Sequence, residues 1–523
     1  MATNLDDTEK GPSPTTQLES TPSEPDLDEI GEVNGYIVDV SALTDKSLAE
    51  RLKLAPDGHT ILIPQPSDDP NDPLNWSWQK KHITLIIIGM TAFLPDYGSA
   101  TGAVALIPQS KIWGIPENTV NHSQAGNVFM LGPGGLATII LAAYFGRLPV
   151  LFFFVIFAFL TAAWCAAATS FDSFMTARVL NGFFSTVAQG GGLMFIKDIF
   201  FFHEHPRKIN IWAGFVILSP YLGPLFTAFI LNVTKWNWGF WLLTMLTGLC
   251  LILITLFVDE TFYNRRISAA QQPVRKSRWL RLVGIEQWKS RKQRSTLWQA
   301  FVRPWKVLAK PTVLLSMTYY CFTFAWAVGI NTTLSIFVTP LYGFGLKQVG
   351  FFYFTPVVAT LLGEFAGHWL HDLAGRIYMR RHNGVLEPEG RLSVIWLGTP
   401  FVVSGLVLIG FCLENGYHYM LTSLAWGLYV FGLMIITVAI ASYNLDSYPE
   451  GSGEVGQWLN QSRTLGGFTI SYVQVQWAQA SGTERSFGVQ AGVCAFVFFI
   501  IVFLQIYGKR LRTWSGRLNF KTN

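Results

Sequence analysis

The chain is expected to be an all-α membrane protein of twelve transmembrane helices arranged as two six-helix halves. Three observations carry that expectation. Apolar stretches about 20 residues long, the length needed to cross a hydrocarbon core of about 30 Å, recur from His82 to Tyr507. They fall into two groups of six on either side of the longest internal polar stretch, about Asp259 to Lys310. Only 14% of residues are charged against 50% hydrophobic, too few charges to coat a soluble globule.

In order, residues 1–75 hold 16 acids and 4 bases among many Ser, Thr and Pro, and are expected to form a disordered, acidic cytosolic tail. The N-terminus is too acidic to read as a cleavable signal, so the first span is expected to be its own signal anchor. The first half, residues 76–260, should place spans near 82–105, 124–145, 148–168, 174–196, 208–231 and 238–258. Residues 261–310 form a basic central loop. The second half, 311–508, should place spans near 311–338, 348–370, 393–413, 418–443, 456–478 and 487–507, before a basic tail at 509–523. All five cysteines fall inside spans, where they serve as small hydrophobes.

Lys and Arg collect in alternate connections. Lys80, Lys81, Arg147, Lys197, Arg207, Lys208, the central loop, Arg376, Arg380, Arg381 and Arg391 share one side, whereas the other has only Lys111, Lys235, Lys347 and Arg485. The basic side is the cytosolic one by the positive-inside rule, which places both termini there. Its charge suits topology and anionic lipid, not nucleic acid. The sequons at Asn121 and Asn232 then fall in outward connections and are glycosylation candidates.

The two halves repeat. Leu141–Arg147 after the second span and Leu370–Arg376 after the eighth share Leu, Gly and Arg at one spacing. Gly146 and Arg147, with Asp372, Gly375 and Arg376 in the second copy, resemble the loop signature of the major facilitator superfamily; Ala143 stands where the first copy would carry Asp. Arg178 with Gly182 resembles that family's Arg-x-x-x-Gly motif, and the run to Gly223 and Pro224 in the fifth span its Gly-Pro antiporter motif. Asp69–Trp76, Glu387–Arg391 and Asp446–Pro449 are similar to fungal twelve-span drug:proton antiporters. The resemblance implies a major facilitator fold and a conformational role for these loop and Gly-Pro residues.

Charges inside the membrane cost roughly 3 kcal/mol or more and are candidates for function. Asp96 and Arg178 fall at similar depth on the first and fourth spans, which the resemblance implies line the central cavity, and this suggests a cavity-facing pair for proton coupling. Low dielectric favours a neutral carboxyl and a nearby guanidinium a charged one, so changed water access would switch it. The alternative is a static pair, or Asp96 capping a turn broken at Pro95. Glu364 and His368, four apart on one helix face, suit a proton relay or a structural pair linked to Asp372. Arg463 suits gating, or a rim ion pair with Asp446 or Glu454. Gln189, Tyr221, Trp326, Asn331, Tyr443 and Asn444 are expected to line a cavity for amphipathic molecules. Gly190-Gly191-Gly192 reads as close helix packing, not a phosphate loop.

The expected activity is proton-coupled efflux of a small drug-like compound or secondary metabolite, with uptake of a nutrient or organic cation as the alternative, and a non-transporting sensor as a further class. No nucleophile elbow, metal spacing or nucleotide loop points to an enzyme, a cofactor or a metal. The expected partners are substrate, protons and lipid, and the expected state is a monomer at the plasma membrane.

Overall fold

The computed structural model describes residues 36–37, 40, 52–265, 267, 269–291, 294–382, 385–516 and 518. Among these, eleven helices are long and apolar enough to cross a membrane. The first half contributes Trp78–Trp113, Glu117–Phe145, Arg147–Ala167, a fourth span made of Phe171–Ser185 and Val187–Ile199, His205–Leu231 and Asn237–Phe257. The second contributes Pro311–Tyr342, an eighth span made of Leu346–Phe352 and Phe354–Arg381, then Ile395–Glu414, Tyr419–Ser447 and Thr483–Ser515.

The helix at the eleventh position, Ser452–Ser481, is long enough to span but more polar than the rest. The polar residues of its first half are hidden by protein: Gln457, Asn460 and Arg463, spaced three apart on one stripe, are 0%, 3% and 4% exposed, whereas Thr469, Gln476 and Gln479 farther along are exposed. The side chains it leaves exposed include Leu465, Tyr472 and Val473. A polar helix can sit at membrane depth when neighbouring helices satisfy it.

The halves pack by one rule applied twice. In the first, the first span packs on the fifth, the second on the fourth, and the third on the sixth. In the second, the seventh packs on the eleventh, the eighth on the tenth, and the ninth on the twelfth. Between halves, the eleventh lies on the second and fourth, and the fifth lies on the eighth and tenth. Every pairing recurs six helices later, as a duplicated six-helix unit requires.

The two ends of the helical region and the central segment share one face. The segment is not bare loop: it folds into short helices Arg278–Leu282 and Ile285–Lys289 and an amphipathic helix Leu297–Leu308, opened by a capping box between Thr296 and Gln299. The expectation of a disordered tail to residue 75 also needs correction from Leu52 onward; the earlier part, except Tyr36, Ile37 and Val40, lies outside the described residues. Asp72, fully buried, caps the turn Pro73–Asn75 through Leu74 N at 3.0 Å and takes two bonds from Arg265, at 3.2 and 2.7 Å. Tyr263 adds bonds to Ser67 and Asp69, both 3.2 Å. The ordering partner of this acidic stretch is thus the basic central segment, about 190 residues away, out of reach of local composition arguments.

Burial pushes the Asp72 carboxyl up, but the Arg265 fork and the backbone donors outweigh it and hold the group below its usual range. A lowered carboxylate adds stability that is complete above its unfolded value, near pH 4, and is lost as pH falls through the folded one. The clamp should therefore hold at neutral pH, and Arg265→Ala should speed limited proteolysis around Lys53 about tenfold at pH 7. Unchanged cleavage would show that the clamp does not order the segment.

Candidate functional site

The centre of the bundle is a contact between halves. Asp96, on an unbroken first helix that runs through Pro95, is 7% exposed. It pairs with Arg463 Nη1 of the eleventh helix and accepts a hydrogen bond from Gln189 Nε2 of the fourth at 2.7 Å. Arg463 Nη2 donates to Asn460 Oδ1 at 2.9 Å, and Asn460 Nδ2 donates to Leu131 O and Thr186 Oγ1, both 3.1 Å. Gln457 continues the seam by donating to Gly132 O at 2.7 Å. One stripe of the eleventh helix thus ties three helices of the other half.

Arg178 does not partner Asp96. It is 1% exposed and lies on first-span backbone, donating to Gly98 O at 2.5 Å and Ser99 O at 2.9 Å, beside the rings of Phe174 and Phe240. Asp96 and Gly98 differ by about 3 Å in height but by about 200° around the helix, so similar depth does not bring the two charges together. Gly102 helps admit the guanidinium: a Cβ there would lie 3.1 Å from Nη2. Asp96 is likewise no cap of a broken turn, and Arg463 does not pair at the rim. Asp446 is held by Arg391 at 2.9 Å and Glu454 by Arg303 at 2.7 Å.

Beside Asp96 lies a chamber of about 30 Å³, room for a water or two, lined by Asp96, Ser99, Gln124, Tyr221, Phe324, Asn331 and Arg463 among others. Contacts between halves close it on both sides. Toward the central-segment face stand Asn210 to Glu364 O at 2.8 Å and Arg207 to Asp372 at 2.5 Å. Toward the opposite face, rings meet at Phe129 and Phe468, His122 and Tyr472, and Phe229 and Phe351. The arrangement is occluded.

Of the expected cavity residues, Tyr221 and Asn331 line the chamber, Asn331 also donating to Pro220 O at 3.0 Å, and Gln189 touches Asp96. The other three stand apart from it. Trp326 turns toward Trp477 in its own half. Asn444 bonds Ser316 at 2.8 Å and Ile440 O, and Tyr443 is buried beside it near the central-segment end of the tenth span. Gln124 and Ser99 were missed because single polar residues of a span carry no sequence signal of which way they point.

The repeated turns differ in what they hold. Gly146 has φ +97°, and a Cβ there would meet Glu260 Oε2 at 2.7 Å, so the turn needs glycine. Arg147 pairs with Asp198 inside its own half, and Glu260 accepts from the backbone of Arg147 and Leu148 at 3.2 and 3.4 Å; these acids stand in for the carboxylate missing at Ala143. In the second copy Asp372 crosses to Arg207, Gly375 packs near Arg391, and Arg376 is exposed. Gly223 lies against first-span backbone, where a Cβ would stand 2.6 Å from Tyr97 O, and Pro224 follows it buried, so this motif is a packing seam. Gly190 and Gly192 leave room for Gln457 and Trp212 in the same way. Glu364 faces Gly214 of the fifth span, whereas the His368 ring meets Trp369 edge to face; no hydrogen bond joins the two among the described residues. Of the sequons, Asn121 lies in a helix with Ser123 buried, and Asn232 is exposed between the fifth and sixth spans.

Removing one member of a buried pair leaves the other charge uncompensated, about 3–5 kcal/mol. Arg463→Ala should lower the melting temperature strongly, and adding Asp96→Asn should restore much of the loss. Arg178→Ala combined with Asp96→Asn should instead be additive within about 0.5 kcal/mol. Additivity for Asp96 and Arg463 would contradict the pairing.

The model of the Major Facilitator Superfamily matches residues 85–471. An MFS-type transporter of Schizosaccharomyces pombe is 23% identical, covering 90% of this chain and 91% of that protein. The efflux pump radE of Floropilus chiversii is 24% identical, covering 85% and 84%. Among solved structures, the proton:xylose symporter XylE superposes with a TM-score of 0.59 at 13% identity, over 84% of this chain and all of the other. A human organic anion transporter gives 0.58 at 16%, over 82% and 100%. With a duplicated six-helix architecture and a family match across both halves, the chain belongs to the Major Facilitator Superfamily of membrane transporters.

Proposed function

We propose that this transporter is a proton-coupled exporter of small amphipathic organic compounds, drug-like molecules or secondary metabolites. The observation that supports it is the buried pair of Asp96 and Arg463, which joins the halves beside the closed chamber. An ionised Asp96 holds Arg463. A proton on that carboxyl removes the attraction, weakens the tie between the first and eleventh helices, and lowers the cost of separating the halves. The chamber would widen on that separation. Its rings, Tyr221 and Phe324, offer apolar surface, and Ser99, Gln124 and Asn331 offer hydrogen bonds, a combination suited to amphipathic molecules. Arg178 serves by bracing the first helix. Asp372 with Arg207 acts as a second, conformational tie at the central-segment face.

Export is favoured over uptake because a relative alignable over most of the chain is named an efflux pump. By the positive-inside rule the basic central segment supports a cytosolic orientation for that face and for both termini, and the transporter is read as a monomer of the plasma membrane. Tags at Met1 and Asn523 should then be protected from protease in intact cells, and an exposed tag would overturn the topology. In proteoliposomes, an imposed pH gradient without ATP should drive substrate transport, and Asp96→Asn should abolish it while leaving a folded, though less stable, protein. Transport that ignores the gradient, or survives Asp96→Asn, would contradict proton coupling. Flux along the gradient, in the proton's direction, would replace export with uptake.

A further inference from the structure

The central segment leaves an apolar groove of about 440 Å³ where it meets the second and third spans. One wall is Phe145, Pro149, Val150 and Phe153, the last residue of the second span and the first turns of the third. The other wall is Val283, Ile285 and Trp288 of the central segment, with Lys289 at its rim. Val283, Ile285 and Trp288 are 50%, 43% and 47% exposed, apolar surface that a cytosolic protein would bury.

The surroundings say what covers it. Phe153 opens a stripe continued by Phe157, Leu160 and Trp164, exposed residues at helical spacing that form the lipid-facing side of the third span. The groove is the end of that stripe, at the membrane surface, so its natural occupant is an acyl chain. Basic groups stand where the headgroup would lie. Arg291 sits over the Trp288 ring at 4.6 Å, and Lys289 is exposed. The nearby acids Asp259 and Glu286 are engaged by Arg281, at 2.9 and 3.6 Å, and among the described residues Lys289 has no ion pair.

We propose that this groove binds an anionic phospholipid of the leaflet on the central-segment face, with one acyl chain between the third span and the helix Ile285–Lys289 and the phosphate at Lys289 and Arg291. The site also reaches the repeated turn at Gly146. Gly284, at φ +87°, sits against Pro149, Trp288 stacks on Phe145 at 5.9 Å, and Gln287 donates to Glu260 Oε2 at 2.9 Å, the carboxylate that caps the third span. A lipid filling the groove therefore holds the short helix, and through it the cap, in place. The proposal needs only membrane insertion, and does not depend on which substrate is carried or on protons.

The test is native mass spectrometry of the purified full-length protein with phosphatidylserine and phosphatidylcholine of identical chains, alongside melting temperatures. Wild type should retain phosphatidylserine in preference and melt higher with it. Lys289→Glu should cut phosphatidylserine retention about tenfold and remove the gain in melting temperature. Ile285→Asp, at a position 43% exposed, should lower retention of both lipids. Lys347→Glu, on the opposite face, should change neither. Equal retention of the two lipids by wild type, full phosphatidylserine retention by Lys289→Glu, or an equal loss in Lys347→Glu would overturn the site.

Discussion

Asp96 and Arg463 each occupy a place that neither could hold alone. A lone charge at membrane depth costs several kcal/mol, so each carboxylate or guanidinium there must find its partner in protein. Here the partners belong to different six-helix halves, and the rest of the seam follows from that. The eleventh helix must carry a polar stripe to deliver Arg463, so it must be wrapped by helices of both halves. Those neighbours must in turn offer bare backbone, which Gly132, Gly135 and Gly190 do where Gln457 and Gln461 approach.

The same constraint explains the sharing of labour among the embedded basic groups. Arg178 is held through both its Nη atoms by backbone carbonyls of the first helix and flanked by rings within its own half, so its contacts do not depend on how the halves move. Arg463 is satisfied by a carboxylate across the seam, so its energy changes when the halves separate or when Asp96 gains a proton. Arg207 with Asp372 is more exposed, and by solvent screening is the weaker tie.

Much of this was legible in the sequence. Span lengths, the six-plus-six division and the repeated turn follow from hydrophobic periodicity and spacing, which local physics controls. The eleventh span was legible only roughly: a start placed at 456 put Arg463 near the rim, whereas the helix begins at Ser452 and carries it about a turn deeper. The partner of Asp96 was not legible. Depth along a span gives height but not azimuth, and Arg178 and Asp96 share the first without the second. Order in residues 52–76 was also hidden, because Asp72 acquires its partner Arg265 only in the folded chain.

The central claim is that a proton on Asp96 releases the halves. Electron-paramagnetic distance measurements between spin labels at the exposed positions Lys235 and Tyr417, in opposite halves at the face away from the central segment, test it directly. The account predicts that acidification shifts the wild-type distance distribution and that Asp96→Asn shows the acid distribution at every pH. A variant that responds to pH as the wild type does would place the proton elsewhere and contradict the account.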